Sequence, residues 1–242
     1  MFSDDLATLQ QWIDEAQRIV FFGGAGVSTE SGIPDFRSTD GLYHQQFDYP
    51  PETILSRSFF DTHPEEFFRF YRDKMVCTTA RPNPAHRKLA ELEQAGKLTA
   101  VITQNIDNLH QMAGSRNVLE LHGSVWKNRC MRCKKPFDAE VVLQGNGVPR
   151  CDCGGIVKPE VVLYEESLDE EVIEASIRAL MEADLLLVGG TSLVVWPAAG
   201  LIRYYKGNRL VLLNKGETPY DSEADLIFRT PIGETLSQIL VR

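Results

Sequence analysis

The residues best equipped for chemistry fall in a few short stretches. "FFGGAGVSTESGIPDFRS" follows an apolar run and begins like a dinucleotide-binding loop, with Gly24 and Gly26 as a G-x-G. The third glycine of that fingerprint is absent, Thr29 stands in its place, and Pro-Asp-Phe-Arg follows closely. Further on, "ITQNIDNLH" crowds Gln104, Asn105 and Asp107 past an apolar segment, and polar side chains at a strand terminus are where a parallel α/β fold binds ligands. In "LELHGSV", His122 lies between an apolar pair and a glycine, ahead of the cysteine module, and its claim to a role rests on that position at the domain junction. His44, His63, His86 and His110 read as structural or exposed. "GGTSLVV" ends a strand with small residues that permit close approach of a ligand, and "LLNKG" ends another with Asn214 and Lys215. Both fit contacts to a nucleotide.

Four of the five cysteines cluster as Cys130-x2-Cys133 and Cys151-x-Cys153. Two such pairs point to one tetrahedral zinc, because each knuckle aims two thiolates at one ion. The second pair is a residue short, and the Gly154-Gly155 that follows gives its tight loop room to bend. A four-cysteine site is closed, so this zinc is expected to hold the fold and stay out of the chemistry. Cys77 lies outside the cluster and reads as a small packing residue. A nucleic-acid-binding zinc ribbon is disfavoured by the net charge of -9.

These residues need a scaffold, and the 242-residue chain, 43% hydrophobic, is long enough for one large core plus a smaller module. "RIVFFGG", "LTAVITQN", "ADLLLVGGTS" and "RLVLLNKG" are strand-length and apolar, as strands buried on both faces are, with helical stretches between them. The alternation predicts an α/β fold with a doubly wound parallel, Rossmann-like sheet. An aromatic helical stretch and the cysteine segment interrupt it. They divide the chain into a nucleotide-binding part (1–37, 82–125 and 167–242) and a small zinc-bearing part (38–81 and 126–166). The acidic N-terminus with helical Leu6, Leu9 and Ile13 is unlike a signal peptide, and no apolar run has the length of a membrane span. A cytoplasmic protein with no membrane or nucleic-acid partner is expected.

With these pieces in order, the sequence resembles the sirtuin family of NAD-dependent protein-lysine deacylases. The resemblance rests on "GAGVSTESGIPDFR", "TQNIDNLH", "LHGS", the two cysteine pairs, "GTSLVVWPAA" and "LLNKGETPYD", which span nearly the whole chain. It implies that Ala25, Gly26 and Thr29 line the NAD loop, with Asp35, Phe36 and Arg37 closing over the cofactor. Gln104 would contact the nicotinamide ribose, and Asn105, Ile106 and Asp107 would grip the carboxamide. Gly190, Thr191, Ser192, Asn214, Lys215 and Ile232 would hold the adenosine half, and His122 would be the catalytic base, with Asn105 and Asp107 beside it.

The resemblance further implies that NAD is consumed as a co-substrate, giving nicotinamide, free lysine and O-acyl-ADP-ribose. A loop that folds over the nicotinamide ribose suits that chemistry better than hydride transfer, which leaves NAD whole. The acyl-lysine peptide would add as a strand beside "PEVVLYEE", with Val162 and Tyr164 on one side and Val195 on the other. Here the family's usual Phe-Gly-Glu reads Tyr164-Glu165-Glu166, so an acid is expected near the peptide and with it a preference for basic flanking residues. Phe68 and Tyr71 occupy the places where succinyl- and malonyl-removing members carry a Tyr-x-x-Arg pair, so the expected acyl group is acetyl or a longer apolar chain. Mono-ADP-ribosyl transfer and a low-turnover NAD- or peptide-binding module remain the alternatives.

Overall fold

A computed structural model describes residues 4–35 and 49–242. Helix α1 (Asp4–Glu15) buries Leu6, Leu9 and Ile13 along one face and leads into strand β1 (Ile19–Gly23), which is buried throughout. Two single 3-10 turns follow, Ala25–Val27 and Thr29–Ser31. Then come three short helices, α2 (Pro51–Ile54), α3 (Arg57–Thr62) and α4 (Pro64–Phe70), the last widening into a π-turn over Tyr71–Met75. Helix α5 (Pro84–Gln94) is started by a capping box between Asn83 and His86 and is followed by β2 (Leu98–Thr103), α6 (Leu109–Ala113) and β3 (Val118–Glu120). The cysteine region holds β4 (Gly123–Cys130), β5 (Pro136–Asp138), α7 (Glu140–Leu143) and β6 (Val157–Val161). The chain closes with α8 (Glu170–Glu182), β7 (Leu185–Gly189), a 3-10 stretch (Ala198–Tyr204), β8 (Leu210–Leu213), β9 (Leu226–Phe228) and α9 (Ile232–Ser237).

Six strands form a parallel sheet in the order β3-β2-β1-β7-β8-β9. Alternate residues supply two cores, as a strand period of two requires. Ile19, Phe21, Val101, Leu185, Leu187, Val211 and Leu213 pack with α1, α5 and α9, while Val20, Phe22, Ile102, Leu186, Val188 and Leu212 pack with α8 and the 198–204 stretch. Both faces are therefore covered, which is why the strands read as unbroken apolar runs. The sheet runs outward from β1 in both directions, so the loops after β1, β2 and β7 meet at one edge.

A second sheet, antiparallel β5-β4-β6, shares a third core with the aromatic helices. Phe60, Phe67 and Phe68 meet edge to face at centroid separations of 5.0 to 5.8 Å and pack with Val125, Val157, Val161 and the cysteine loops. Arg72 Nε donates to the Val142 carbonyl at 2.5 Å and its terminal nitrogen to that of Gly147, tying the π-turn to the cysteine region. Strands β3 and β9, three residues each and half-buried, are absent from the sequence expectations. No helix among the described residues is long and apolar enough to cross a membrane.

Candidate functional site

The loop after β1 is pressed against the loop after β7. Gly24 N–H donates to Gly189 O at 3.2 Å and Gly26 N–H to Gly190 O at 2.8 Å. At Gly190, where φ is +60°, an added Cβ would lie 2.3 Å from Val27 N and 2.6 Å from Gly26 C. The absence of a side chain at Gly190 thus makes room for the neighbouring loop. Thr29 is exposed, and its hydroxyl donates to Gly26 O at 3.0 Å, closing the first 3-10 turn. A third fingerprint glycine serves close packing of a helix on the strand. These turns bring no helix there, so a threonine fits.

Beneath this loop lies a buried polar cluster. Ser28 Oγ donates to Asp107 Oδ2 at 2.6 Å and accepts from Asn105 Nδ2 at 3.1 Å. The Asp107 carboxylate also accepts the Leu109 amide at 2.9 Å. Burial pushes the Asp107 carboxyl up, while the bonds from Ser28 and Leu109 pull it back. Ser28 is 1% exposed and its Oγ is the central atom of this cluster, although it is not among the residues expected from the sequence. Its signal was its place inside the loop motif. Asn83 holds the loop from behind, donating to Val27 O at 2.7 Å and Ser31 Oγ at 3.0 Å.

Gln104 bridges strand ends: its side-chain amide donates to Thr191 Oγ1 at 3.0 Å, and its carbonyl faces His122 Nδ1 at 3.0 Å. A carbonyl only accepts, so Nδ1 carries the hydrogen and Nε2 is left as the acceptor of the neutral ring. Burial lowers the His122 pKa below 6.5, with the Gln104 carbonyl acting the other way. The ring is therefore neutral near pH 7 and able to take a proton. Gly123 fixes its place: φ is +73°, and a Cβ there would sit 1.8 Å from Glu160 O in β6. His86 and His110 are buried elsewhere, edge to face at 4.7 Å, as structural residues.

The second sheet joins the site through Trp126 Nε1, which donates to Asp107 O at 3.1 Å, and the Val125 amide, which donates to Ile106 O at 3.1 Å. Val162 N–H donates to His122 O at 3.0 Å, which places the segment just after β6 directly beside the histidine. Among the remaining candidates, Ala25, Ser192 and Val195 are half-buried, Lys215 and Tyr164 are exposed, and Ile232 commits its side chain to the core. Asn214 Nδ2 donates to Gly216 O at 2.9 Å. Asp35 is half-buried at the end of the first described segment; Phe36, Arg37 and His44 lie outside the described residues.

The four cysteine sulfurs lie within 4.8 Å of one another, with Cys130 to Cys153 at 3.5 Å and Cys133 to Cys151 at 3.6 Å. A tetrahedron with zinc–sulfur bonds of about 2.3 Å has edges of about 3.8 Å, so the set fits a closed zinc site. The short knuckle is accommodated by a tight turn in which Gly154 N–H donates to Cys151 O at 2.8 Å.

The family model described as "Sir2 family" matches residues 24–197, from the first loop through the stretch after β7. The chain belongs to the Sir2 family. An NAD-dependent protein deacetylase of Clostridium acetobutylicum is 58% identical over 241 residues, covering 98% of each chain. A solved Sir2–p53 peptide–NAD+ complex is 41% identical with a TM-score of 0.84, covering 96% of this chain and 95% of that one. A Sir2 complex with an inhibitor, 2'-O-acetyl-ADP-ribose and deacetylated p53 peptide is 39% identical with a TM-score of 0.82, covering 95% of both.

Proposed function

We propose that this chain is an NAD-dependent protein-lysine deacetylase that yields nicotinamide, free lysine and O-acetyl-ADP-ribose. The observation that carries the reading is His122, neutral and fixed in one tautomer by the Gln104 carbonyl at 3.0 Å, beside a main-chain edge at Val162. The names of the matched deacetylase and of the peptide and acetyl-ADP-ribose complexes support it. The sheet order corresponds to 3-2-1-4-5-6 in a dinucleotide-binding fold, supporting the Rossmann-like description.

NAD, consumed as substrate, supplies the ribose carbon to which the acyl oxygen adds. Ala25, Gly26, Thr29 and Asp35 would hold it from the first loop, with Phe36 and Arg37 following. Gln104 would meet its nicotinamide ribose, and Gly190, Thr191, Ser192, Asn214, Lys215 and the start of α9 at Ile232 its adenosine half. Ser28, Asn105 and Asp107 would form the polar floor for a carboxamide, with Ile106 as its apolar neighbour. Nε2 of His122 holds the proton released from a substrate hydroxyl, and a base with a pKa below 6.5 is ready for this at neutral pH. The acyl-lysine peptide lies along Val162 and Tyr164, with Val195 opposite.

The segments 38–81 and 126–166 act as one small unit around the zinc, and 1–37, 82–125 and 167–242 as the nucleotide-binding unit. The acyl group is acetyl or a longer apolar chain, because Phe68 and Tyr71 are buried among apolar side chains and Arg72 is committed to carbonyls. Reduced zinc-binding thiols fit a cytoplasmic location. The test follows nicotinamide release from NAD with an acetyl-lysine peptide. His122→Ala is expected to lower kcat/KM by about 10²–10⁴-fold with little change in stability. Absence of nicotinamide release from the unmutated, zinc-loaded protein would overturn the reading.

A further inference from the structure

Two adjacent glutamates shape the turn that follows the proposed peptide edge. Glu166 N–H donates to Leu163 O at 3.0 Å, and Leu163 N–H donates back to Glu166 Oε2 at 2.9 Å. Within this turn Glu165 has φ of 75°, a left-handed conformation that disfavours any residue with a Cβ. Its carboxylate is anchored in return: one oxygen accepts the Ser58 amide at 2.8 Å and the other the Ser58 hydroxyl at 2.9 Å, in the first turn of α3. The main chain beside it is paired with the same segment. Tyr164 N–H donates to Leu55 O and Arg57 N–H to Tyr164 O, both at 3.0 Å. Arg57 and Lys158 reach Glu166 at 3.1 and 3.0 Å. At the other end of this short run, Val162 N–H is bonded to His122 O.

We propose that Glu165 is a positioning residue for the acyl-lysine peptide. By fixing the 163–166 turn to Ser58, it sets the Val162 carbonyl and the Glu165 main chain, the groups of this run that no described residue engages, and hence the peptide that would bond to them, at their distance from His122. The charge expected to select basic flanking residues is instead directed at α3. Among the described residues neither the Glu165 carboxylate nor the Ser58 side chain hydrogen-bonds to the loops at 24–32, 104–107 and 190–192, so the effect falls on the peptide and spares NAD. This inference rests on the deacetylase reading.

The experiment measures steady-state nicotinamide release by the full-length, zinc-loaded protein with two acetyl-lysine peptides, one flanked by lysines and one by alanines. Glu165→Ala is expected to raise the peptide KM by about tenfold, by the same factor for both peptides, with kcat and the NAD KM within about twofold. Glu165→Gln, whose amide oxygen still accepts one bond, recovers part of the loss, and Ser58→Ala, which keeps the amide donor, raises the peptide KM by about threefold. These two variants carry the test if Glu165→Ala does not fold. An unchanged peptide KM overturns the inference while leaving the deacetylase reading intact. So does a rise confined to the lysine-flanked peptide, which would make Glu165 a direct reader of charge, or a rise in the NAD KM equal to that in the peptide KM, which would mark general destabilisation. Failure of the unmutated protein to turn over either peptide removes the deacetylase reading and this inference with it.

Discussion

The two sides of the site are held by different means. On the nucleotide side, the loops after β1 and β7 touch main chain to main chain, with Gly26 N–H on Gly190 O and no space at Gly190 for a Cβ. On the peptide side, strand and turn are held by side chains: four thiolates, the Glu165 carboxylate on Ser58, and Glu166 with Lys158 and Arg57. Main-chain close approach tolerates no added atom, whereas a side-chain tether can carry an unusual residue if it makes a compensating bond. That is why Gly190 keeps its left-handed backbone as glycine while a glutamate occupies the left-handed position at 165.

The largest expected effect tests the peptide side. Cys151→Ser, or removal of zinc by a chelator, should unfold the second sheet and abolish deacetylation, because metal-binding energy there is folding energy. Zinc content and near-ultraviolet circular dichroism would show it, and surviving turnover would break the comparison. Next, Gly190→Ala should raise the NAD KM by about tenfold or more and cost about 2–4 kcal/mol in urea unfolding, since the clash is with backbone. Glu165→Gly, by contrast, trades a bond for relief of the left-handed strain and should stay within about 1 kcal/mol.

The smallest effect at neutral pH, because it develops only in acid, concerns the support behind the nucleotide side, where His86 caps α5 and packs on His110. Burial pushes His86 down to about 4 and His110 well below 6.5. As pH falls below 6.5 the unfolded chain takes up protons first, so stability is intact above 6.5 and lost progressively through about 4. The His86 shift alone is worth about 3 kcal/mol below that range. Urea unfolding at several pH values should show this slope, and His110→Phe should flatten part of it.

Much of the scaffold was legible because β1, β2, β7 and β8 are buried on both faces and so are written as unbroken apolar runs. Strands β3 and β9, at the sheet edges and half-buried, leave no such run. The cysteine pairs were legible through spacing, and Asn105, Asp107 and His122 through polar residues ending apolar segments. Ser28 was not, because a lone serine in a glycine-rich loop looks the same whether it caps a turn or bridges two side chains. Which partner the Glu165 carboxylate meets was likewise invisible, since Ser58 is more than a hundred residues away in sequence.

The sequence by itself determined the parallel sheet and the four-cysteine cluster, because these depend on local periodicity and on spacing within short segments, and its motifs carried the resemblance to the family. Only the tertiary structure decided what the glycine at 190 makes room for, which nitrogen of His122 accepts a proton, and where the charge of Glu165 goes. Each of those depends on groups brought together from distant parts of the chain, and a hydrogen bond or a steric clash acts over a few ångströms of space whatever the separation in sequence.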